Sequence, residues 1–352
     1  MKTMECLKFY YALANKNIEI DKDFNIEAVS ESHQKVMKLL EGNGSKIYGI
    51  DTGYGSNVKD EKEKANWMQD QKHLLNYLRV GVGEFLPEKV VRRALRIQAL
   101  KLSQGFSGVS PKAYRKLWEL SKAKELPKVP KYGSLGASGD LIPMAHAVAP
   151  IFEEMDPEGP RDVICMVNTN SMMCSYAIEL YRKIQELVEG CIEFIGQASI
   201  AMDANMQHFN PEGFAMNPQK EPIGICHAIR EERNKFLNTY DMEEGEETQS
   251  CVQEKYSLRC APHILGQICQ NLKYVKTQIE NEVKQISDNP IILKNGKPWH
   301  GGHFYAIGIA TSADLLKDAC MRVCELMDRV VLNMMDEETS KGLKNNLELK
   351  NK

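Results

Sequence analysis

Three long segments of this chain carry apolar residues at alternating spacings of three and four, and this pattern constrains the fold more than any other feature. The segments run from Met173 to Phe194, from Ile264 to Ile286 and from Ile309 to Met334. Such spacing places one apolar stripe along a helix, and helices of this length bury their stripes against one another. The sequence therefore predicts a mainly α fold with a long central helical bundle.

The N-terminal part of the chain is predicted to contain more loops. Residues 42–60 are rich in glycine and small polar residues, which is typical of a loop. Helices are predicted roughly over 64–79 and 88–103. Residues 125–145 contain three prolines, so we expect an irregular connection there.

This change of pattern predicts two regions. Residues 1–160 form a loop-rich N-terminal region, and residues 161–352 contain the long-helix bundle. Within the second region, residues 207–250 are predicted to be the least regular part. They end in the acidic run YDMEEGEETQS, which is typical of a solvated loop.

Composition argues against several classes of function. The 352 residues are 43% hydrophobic and 26% charged, as in a globular protein. The net charge of −3 gives no basis for binding nucleic acid or an anionic membrane, and no apolar run approaches the ~18 residues that span a bilayer. The N-terminus lacks a secretory pattern, and the ten cysteines include no C-x-x-C pair. We therefore expect a cytoplasmic protein with free thiols and no metal.

The stretch KYGSLGASGDLIPMAH (131–146) is the most unusual segment. Its glycines, Gly133, Gly136 and Gly139, recur at every third position. This is not the G-x-G-x-x-G of a dinucleotide loop, and no Lys-Ser/Thr pair follows as in a P-loop. The glycines therefore predict a backbone that folds tightly onto itself rather than a phosphate site.

Ala137, Ser138 and Gly139 can also form an electrophile. If the Gly139 nitrogen attacks the Ala137 carbonyl carbon, a five-membered ring closes, and loss of water from the ring and of the Ser138 hydroxyl as a second water leaves an exocyclic methylidene. From these three residues alone, a flexible glycine turn is the simpler interpretation.

Several separated motifs, in one order, resemble a known family. GSLGASGDLIPMAH is similar to the signature of the aromatic amino acid ammonia-lyases and their aminomutase relatives, which act on histidine, phenylalanine or tyrosine. The resemblance covers the chain from about residue 45 to its end. The other matching motifs are IYGIDTGYGSN (47–57), VQEKYSLRCAPHILG (252–266), SDNPII (287–292) and GGHFYA (301–306).

The resemblance implies roles for the first group of site residues. Ala137, Ser138 and Gly139 would form 4-methylideneimidazol-5-one (MIO), an electrophile made without a metal. Tyr48, on a mobile lid loop, would be the base that removes the β-proton of the substrate. Asn168 would donate a hydrogen bond to the MIO carbonyl.

The second group of site residues would bind the substrate. Arg259 matches the arginine that clamps the substrate carboxylate, a role suited to a bidentate donor. The family places Tyr256 against the MIO ring, and if the segment is helical, Tyr256, Arg259 and Gln253 would share one face. Phe304 would pack near the ring.

Selectivity in the family depends on two adjacent positions, occupied here by Tyr77 and Leu78. Histidine-specific members usually have Ser-His there, tyrosine-specific members His-Leu and phenylalanine-specific members Phe-Leu. The pair is most similar to the phenylalanine type. Nearby His73 matches a framework position.

The chain departs from the family pattern at four places. Thr169 and Asn170 follow Asn168 where the family has Gly-Thr, and a Cβ there could crowd the MIO loop. A basic Arg-Pro-His segment is replaced by NPQKEP (217–222), and His303 replaces an asparagine. The family also continues into a C-terminal helical region with a Gln-Glu pair, so the resemblance implies a C-terminally truncated chain.

Three functions remain open at this point. The first is an MIO-dependent ammonia-lyase that converts an aromatic amino acid to an α,β-unsaturated acid and ammonia. The second is an MIO-dependent 2,3-aminomutase. The third is a truncated, non-catalytic assembly partner. The resemblance also implies a homotetramer whose active sites are shared between subunits, with a small-molecule amino acid as the substrate.

Overall fold

The computed structural model describes residues 25–41, 46–60, 66–242 and 251–348, and these residues are mainly helical. Short 3₁₀ helices occur at Gly55–Lys59, Met206–Phe209 and Asn345–Leu347. The strands are β1 (Val82–Phe85), β2 (Pro130–Tyr132), β3 (Ile291–Ile292) and β4 (Pro298–Trp299). The α-helices are α1 (Ile26–Glu41), α2 (Trp67–Leu78), α3 (Glu88–Leu102), α4 (Pro111–Lys122), α5 (Leu141–Glu154), α6 (Ile164–Val167), α7 (Ser171–Ala201), α8 (Pro211–Ala215), α9 (Glu221–Thr239), α10 (Tyr256–Arg259), α11 (Ala261–Lys284) and α12 (Ile307–Met334).

The long helices predicted from the apolar stripes are confirmed. Helices α7, α11 and α12 contain 31, 24 and 28 residues. Residues of each stripe are buried, as Val188, Leu272 and Val323 illustrate. The shorter predicted helices are confirmed as α2 and α3, and the fold is mainly α as predicted.

Two predictions of irregular structure are partly wrong. The connection over 125–145 contains β2 and becomes helical at Leu141. Pro143 does not prevent the helix, because it lies in the first turn of α5, where a missing N–H breaks no helical hydrogen bond. Residues 207–250 contain the 19-residue helix α9, which has Pro222 in its first turn. Residues 243–250 of the acidic run and residues 42–45 of the N-terminal loop lie outside the described residues.

The chain forms two compact units. Among the described residues, the first unit comprises 25–179 and 278–311, and the second comprises 180–242, 251–277 and 312–348. These units are sets of spatial contacts that interleave along the chain. The two predicted regions, 1–160 and 161–352, are continuous stretches of sequence. The spatial units do not test that division, so it stays a prediction.

The first unit is built around the pair of helices α3 and α4, which pack against each other and against α5. Leu95, Leu117 and Val148 are fully buried in this core. Strands β1 and β2 pair antiparallel, with Val82 opposite Tyr132. This pairing fixes the point from which the chain enters the glycine-rich loop that precedes α5.

The second unit holds the segment before α10 through a buried carboxylate. Glu254 Oε1 accepts a hydrogen bond from the Asn205 backbone N–H at 2.9 Å. The same oxygen forms an ion pair with Lys341 Nζ, also at 2.9 Å. The Glu254 side chain is 7% exposed. Water screens such a buried pair little, so the start of α10 is fixed by charge as well as by its backbone.

Replacing Ser110 with alanine is expected to lower the free energy of unfolding by about 1–2 kcal/mol. Ser110 caps α4: its Oγ accepts the Ala113 N–H at 3.2 Å and donates to Asp162 Oδ2 at 2.8 Å, in a buried site. Urea unfolding measures the loss. Ser56→Ala, at an exposed position, is the control and should change stability by less than about 0.5 kcal/mol. Equal effects of the two substitutions would contradict the assignment of the cap.

Among the described residues, no helix has the length and apolar character needed to cross a membrane. The cysteines of this part of the chain are free thiols. Its His, Cys, Asp and Glu side chains form no group of three or more that could hold a metal ion. The expected absence of a metal and the cytoplasmic location stay predictions.

Candidate active site

The glycine-rich loop joins β2 to α5 in the first unit. Gly136 and Gly139 have φ angles of +74° and +80°, a region that side chains with a Cβ rarely adopt. Ala137 and Ser138, between them, are exposed, whereas Gly139 is buried. The loop therefore presents two small residues to solvent on a tightly folded support.

Gly139 packs directly against the backbone of Thr169. A Cβ at residue 139 would lie 3.0 Å from the Thr169 carbonyl carbon and closer still to the carbonyl oxygen. The same oxygen accepts the Asp140 N–H at 2.5 Å. Ser134 Oγ donates to the Gly139 carbonyl at 3.1 Å. The loop is thus clamped at the residue whose nitrogen would close the ring.

Asn168 contacts the loop with its side chain. It follows the short helix α6 and is 5% exposed. Its Nδ2 donates to the carbonyl oxygen of Ser138 at 2.9 Å. If the tripeptide cyclises, the Ala137 carbonyl oxygen is lost and the Ser138 carbonyl oxygen is kept. Asn168 therefore contacts the oxygen that would become the ring carbonyl.

Thr169 does not crowd the loop with its side chain. Its Oγ1 lies 2.9 Å from Ser171 Oγ and 2.9 Å from Ser287 Oγ, in a buried site. The Thr169 backbone, rather than its side chain, faces Gly139. The departure from glycine at this position is therefore accommodated by hydrogen bonds.

Asp140 follows the tripeptide and is 1% exposed. Its Oδ2 accepts the Met173 N–H at 2.9 Å. Burial raises the pKa of Asp140 to about 7, while the backbone N–H groups of Met173 and Met172 and the Lys101 charge act in the opposite direction. This carboxyl is consequently poised to change charge near neutral pH.

Asp140 should make the stability of the protein depend on pH. Its folded-state pKa is about 7 and its unaltered pKa is 3.8, so the stability it contributes is present at low pH. That contribution is lost as the pH rises through about 7. Relative to Asp140→Asn, the wild-type protein is therefore expected to lose stability between these two values. Urea unfolding over this pH range tests it, and a difference that does not vary with pH would contradict it.

A cavity of about 560 Å³, here called the lid pocket, opens beside the loop within the first unit. Its size is in the usual range for small-molecule sites. The structure brings together six of the predicted site residues in its lining, namely Tyr48, Tyr77, Leu78, Ser138, Asn168 and Phe304.

Two tyrosines of the lid pocket differ in their hydrogen bonds. Tyr48 Oη accepts the Gly55 N–H at 2.8 Å, whereas Tyr54 Oη donates to the Gly49 carbonyl at 3.1 Å. The two rings meet edge to face with centroids 6.0 Å apart. Burial raises the pKa of Tyr54 above its ordinary value, and the nearby Asp70 adds to this effect. Tyr54 is therefore unsuited to act as a base.

One face of α2 lines the lid pocket. Asp70, His73, Leu74, Tyr77 and Leu78 all contribute to the lining, with the spacing of one helical face. Asp70 was not predicted from the sequence, and His73 was predicted to be a framework residue, which stays a prediction; both line the pocket, and His73 is exposed. The helical spacing from Tyr77 was the signal that could have identified both.

The second unit contains three further predicted residues, Gln253, Tyr256 and Arg259. The Arg259 guanidinium lies over the Tyr256 ring, 4.6 Å from its centroid, so these two residues share a face as predicted. Gln253 does not extend that face, because α10 begins only at Tyr256. Tyr256 also lines a cleft of about 360 Å³. It is 71% exposed.

The family of the chain follows from a comparison with known families. Residues 7–352 match the model of the family described as aromatic amino acid lyase. The chain belongs to the aromatic amino acid lyase family. Membership accounts for the order of the motifs from the lid loop through the tripeptide loop to α10.

Individual members of the family are similar over most of this chain. Histidine ammonia-lyase from Streptococcus pyogenes is 29% identical over 343 residues, an alignment that covers 91% of this chain and 65% of that protein. A probable histidine ammonia-lyase from Thermoplasma acidophilum is 26% identical and covers 94% of this chain and 70% of its own length. The chain thus spans somewhat less than two thirds of the length of the Streptococcus relative.

Solved structures have the same fold. Phenylalanine aminomutase from Pantoea agglomerans matches 99% of this chain and 74% of its own, with a TM-score of 0.86 at 22% identity. Histidine ammonia-lyase from Trypanosoma cruzi matches 96% of this chain and 67% of its own, with a TM-score of 0.77 at 18% identity. At these identities the likeness concerns the fold alone.

Proposed function

We propose that this chain is an MIO-dependent ammonia-lyase. It would eliminate ammonia from an aromatic amino acid of the phenylalanine, tyrosine or histidine class and release an α,β-unsaturated acid. The observation that carries this proposal is the hydrogen bond of 2.9 Å from Asn168 Nδ2 to the Ser138 carbonyl oxygen. It holds the tripeptide by the oxygen that survives cyclisation, at the edge of a pocket of suitable size.

The residues of the loop fit the MIO group. Gly139 has no space for a Cβ beside Thr169, and the carbonyl of Ser138 already has a donor. Ring closure joins the Gly139 nitrogen to the Ala137 carbonyl carbon and releases that carbonyl oxygen as water. The Ser138 hydroxyl leaves as a second water with the Cα hydrogen, so no oxidant is required. Once formed, the ring supplies an electrophile for the substrate amine.

The other residues would act on the proton and on the carboxylate. Tyr48 Oη already accepts a hydrogen bond, and it would accept the β-proton of the substrate. Arg259 would bind the substrate carboxylate through its guanidinium, with Gln253 as a further substrate-binding residue, and Tyr256 would lie against the MIO ring. Tyr77, Leu78 and Phe304 would contact the aromatic side chain.

The residues proposed to set substrate preference differ in chemical character. Tyr77 and Leu78 present an aromatic ring and an apolar side chain, which favours phenylalanine. By contrast, the Streptococcus pyogenes relative is a histidine ammonia-lyase and the Thermoplasma acidophilum relative is a probable one. Asp70 and His73 add polar groups to the lid pocket. The proposed substrate is therefore an aromatic amino acid of the phenylalanine, tyrosine or histidine class.

The first test is the mass of the tryptic peptide Tyr132–Arg161 from purified protein. We expect this peptide to be lighter by two waters, with the loss mapped to residues 137–139. Incubation with phenylalanine, tyrosine and histidine should then release an unsaturated acid that absorbs in the ultraviolet. A β-amino acid product would instead identify an aminomutase. An unmodified peptide would overturn the proposal.

Assembly is proposed from family membership. We infer a homotetramer with active sites shared between subunits, as the resemblance implies. Light scattering coupled to size-exclusion chromatography measures the mass of the assembly. A monomer that retains full activity would contradict shared sites.

A further inference from the structure

Lys101 is a buried cation close to the tripeptide loop. It lies on α3 and is 3% exposed. Its Nζ donates to Asn170 Oδ1 and, at 3.1 Å, to Ser287 Oγ. Burying an ammonium group costs free energy unless its N–H donors are hydrogen-bonded. The Lys101 ammonium therefore favours the arrangement in which the Asn170 and Ser287 oxygens stay next to it.

Acidic groups surround this cation. Burial lowers the pKa of Lys101, whereas Cys174, Glu282 and Asp140 act to raise it. Glu282, 7% exposed, accepts a hydrogen bond of 2.6 Å from Asn170 Nδ2. Asn170 therefore bridges a lysine and a glutamate, and its side-chain orientation is set by both.

Residues 168–170 connect the Lys101 contacts to the tripeptide. Asn168 donates to the Ser138 carbonyl, and the Thr169 carbonyl accepts the Asp140 N–H. The Thr169 hydroxyl is paired with Ser287, which is itself a partner of Lys101. Residues 168 and 169 thus hold the loop, while 169 and 170 are held by the Lys101 network.

The network also involves the two residues that depart from the family pattern. Thr169 and Asn170 stand where the resemblance has Gly-Thr, and both side chains are bound by Ser287, Lys101 or Glu282. A threonine in place of glycine adds a hydroxyl that must be paired when buried. The network pairs it, and it fixes the backbone against which Gly139 packs.

We propose that Lys101 is a positioning residue for cyclisation: through Asn170 and Ser287 it holds the 168–170 segment so that Ala137, Ser138 and Gly139 can form MIO. The proposal rests on the proposed function. Lys101 does not touch the tripeptide in the described contacts, and it acts through the segment that does.

Lys101→Met tests this role because methionine fills the space and removes the charge and the donors. We expect the fraction of the peptide Tyr132–Arg161 that is lighter by two waters to fall by about tenfold or more. Lys89→Met is the matched control. Lys89 lies on the same helix and pairs with Glu179 at 2.5 Å, without contacting residues 168–170 in the described structure, and it should keep the ring.

A double variant separates positioning from general stability. Lys101→Met combined with Glu282→Gln removes both charges, so it should recover much of the thermal stability that the single variant loses. Positioning requires that the fraction of peptide with the ring stays as low as in Lys101→Met although stability returns. A ring that reappears together with stability would overturn the proposal, as would a full ring content in Lys101→Met. If wild-type peptide lacks the ring as well, the proposed function fails first and the inference fails with it.

Discussion

Gly139→Ala is expected to abolish cyclisation of the tripeptide and to lower the free energy of unfolding by about 3 kcal/mol. The residue has a φ angle of +80°, and the left-handed conformation costs an alanine about 1–2 kcal/mol. The added methyl group would also lie 3.0 Å from the Thr169 carbonyl carbon and 3.3 Å from its nitrogen. The backbone cannot move away freely, because the Thr169 carbonyl accepts the Asp140 N–H.

Gly136→Ala is the matched control for this substitution. Gly136 has nearly the same φ angle, +74°, but the nearest atom to an added methyl group is Met173 Sδ at 3.9 Å. It should therefore lose only the conformational cost, about 1–2 kcal/mol, and keep the ring. Peptide mass and urea unfolding report both effects. If the two alanines have equal effects, contact between Gly139 and Thr169 has no role in cyclisation.

The helices that carry long apolar stripes were predictable from the sequence. Helix α12 contains Leu316, Val323 and Val330 at intervals of seven, and all three are buried. A stripe of this length can be satisfied only by a helix, since a strand would place alternate members on opposite faces. Local spacing therefore sufficed for α7, α11 and α12.

Helix α9 was missed because its pattern is short and mixed. Ile225, Ile229 and Leu237 are buried, but charged residues interrupt the spacing, and the segment lies between a proline-containing stretch and an acidic run. Helix α9 packs against α8, and packing between helices is not visible in a residue pattern. Tertiary packing decided the structure of this segment.

The candidate site was predictable only in part. The resemblance identified Asn168, and the structure adds that its amide donates to the Ser138 carbonyl, 30 residues away. The residues alone favoured a flexible turn, because glycine spacing does not reveal what packs against the loop.

The Lys101 network left no sequence signal. Lys101 and Asn170 are 69 positions apart, and Asn170 and Glu282 are 112 positions apart. On the sequence, a lysine near the end of α3 is indistinguishable from a surface lysine. Only the packing of the first unit buries it.

Tyr48→Phe is expected to lower kcat by about 100-fold to 10,000-fold, the usual contribution of a general base. The phenol oxygen is the atom proposed to take the β-proton. Its removal leaves the exposed Gly55 N–H to water, so stability should fall by about 1 kcal/mol at most. The peptide Tyr132–Arg161 should still be lighter by two waters, because Tyr48 has no proposed role in cyclisation. The loss of activity would then be a loss of chemistry rather than of the electrophile.

Tyr54→Phe is the control because Tyr54 lines the same lid pocket with its ring edge to face against Tyr48. Its hydroxyl donates to the Gly49 carbonyl, and burial raises its pKa, which disfavours the phenolate form of Tyr54. This substitution should cost about 1 kcal/mol of stability and leave kcat within about tenfold. Rates with phenylalanine, tyrosine and histidine decide between the two tyrosines. If Tyr54→Phe is the more damaging change, the proton must be taken by another group, and Tyr48 would act only by closing the pocket.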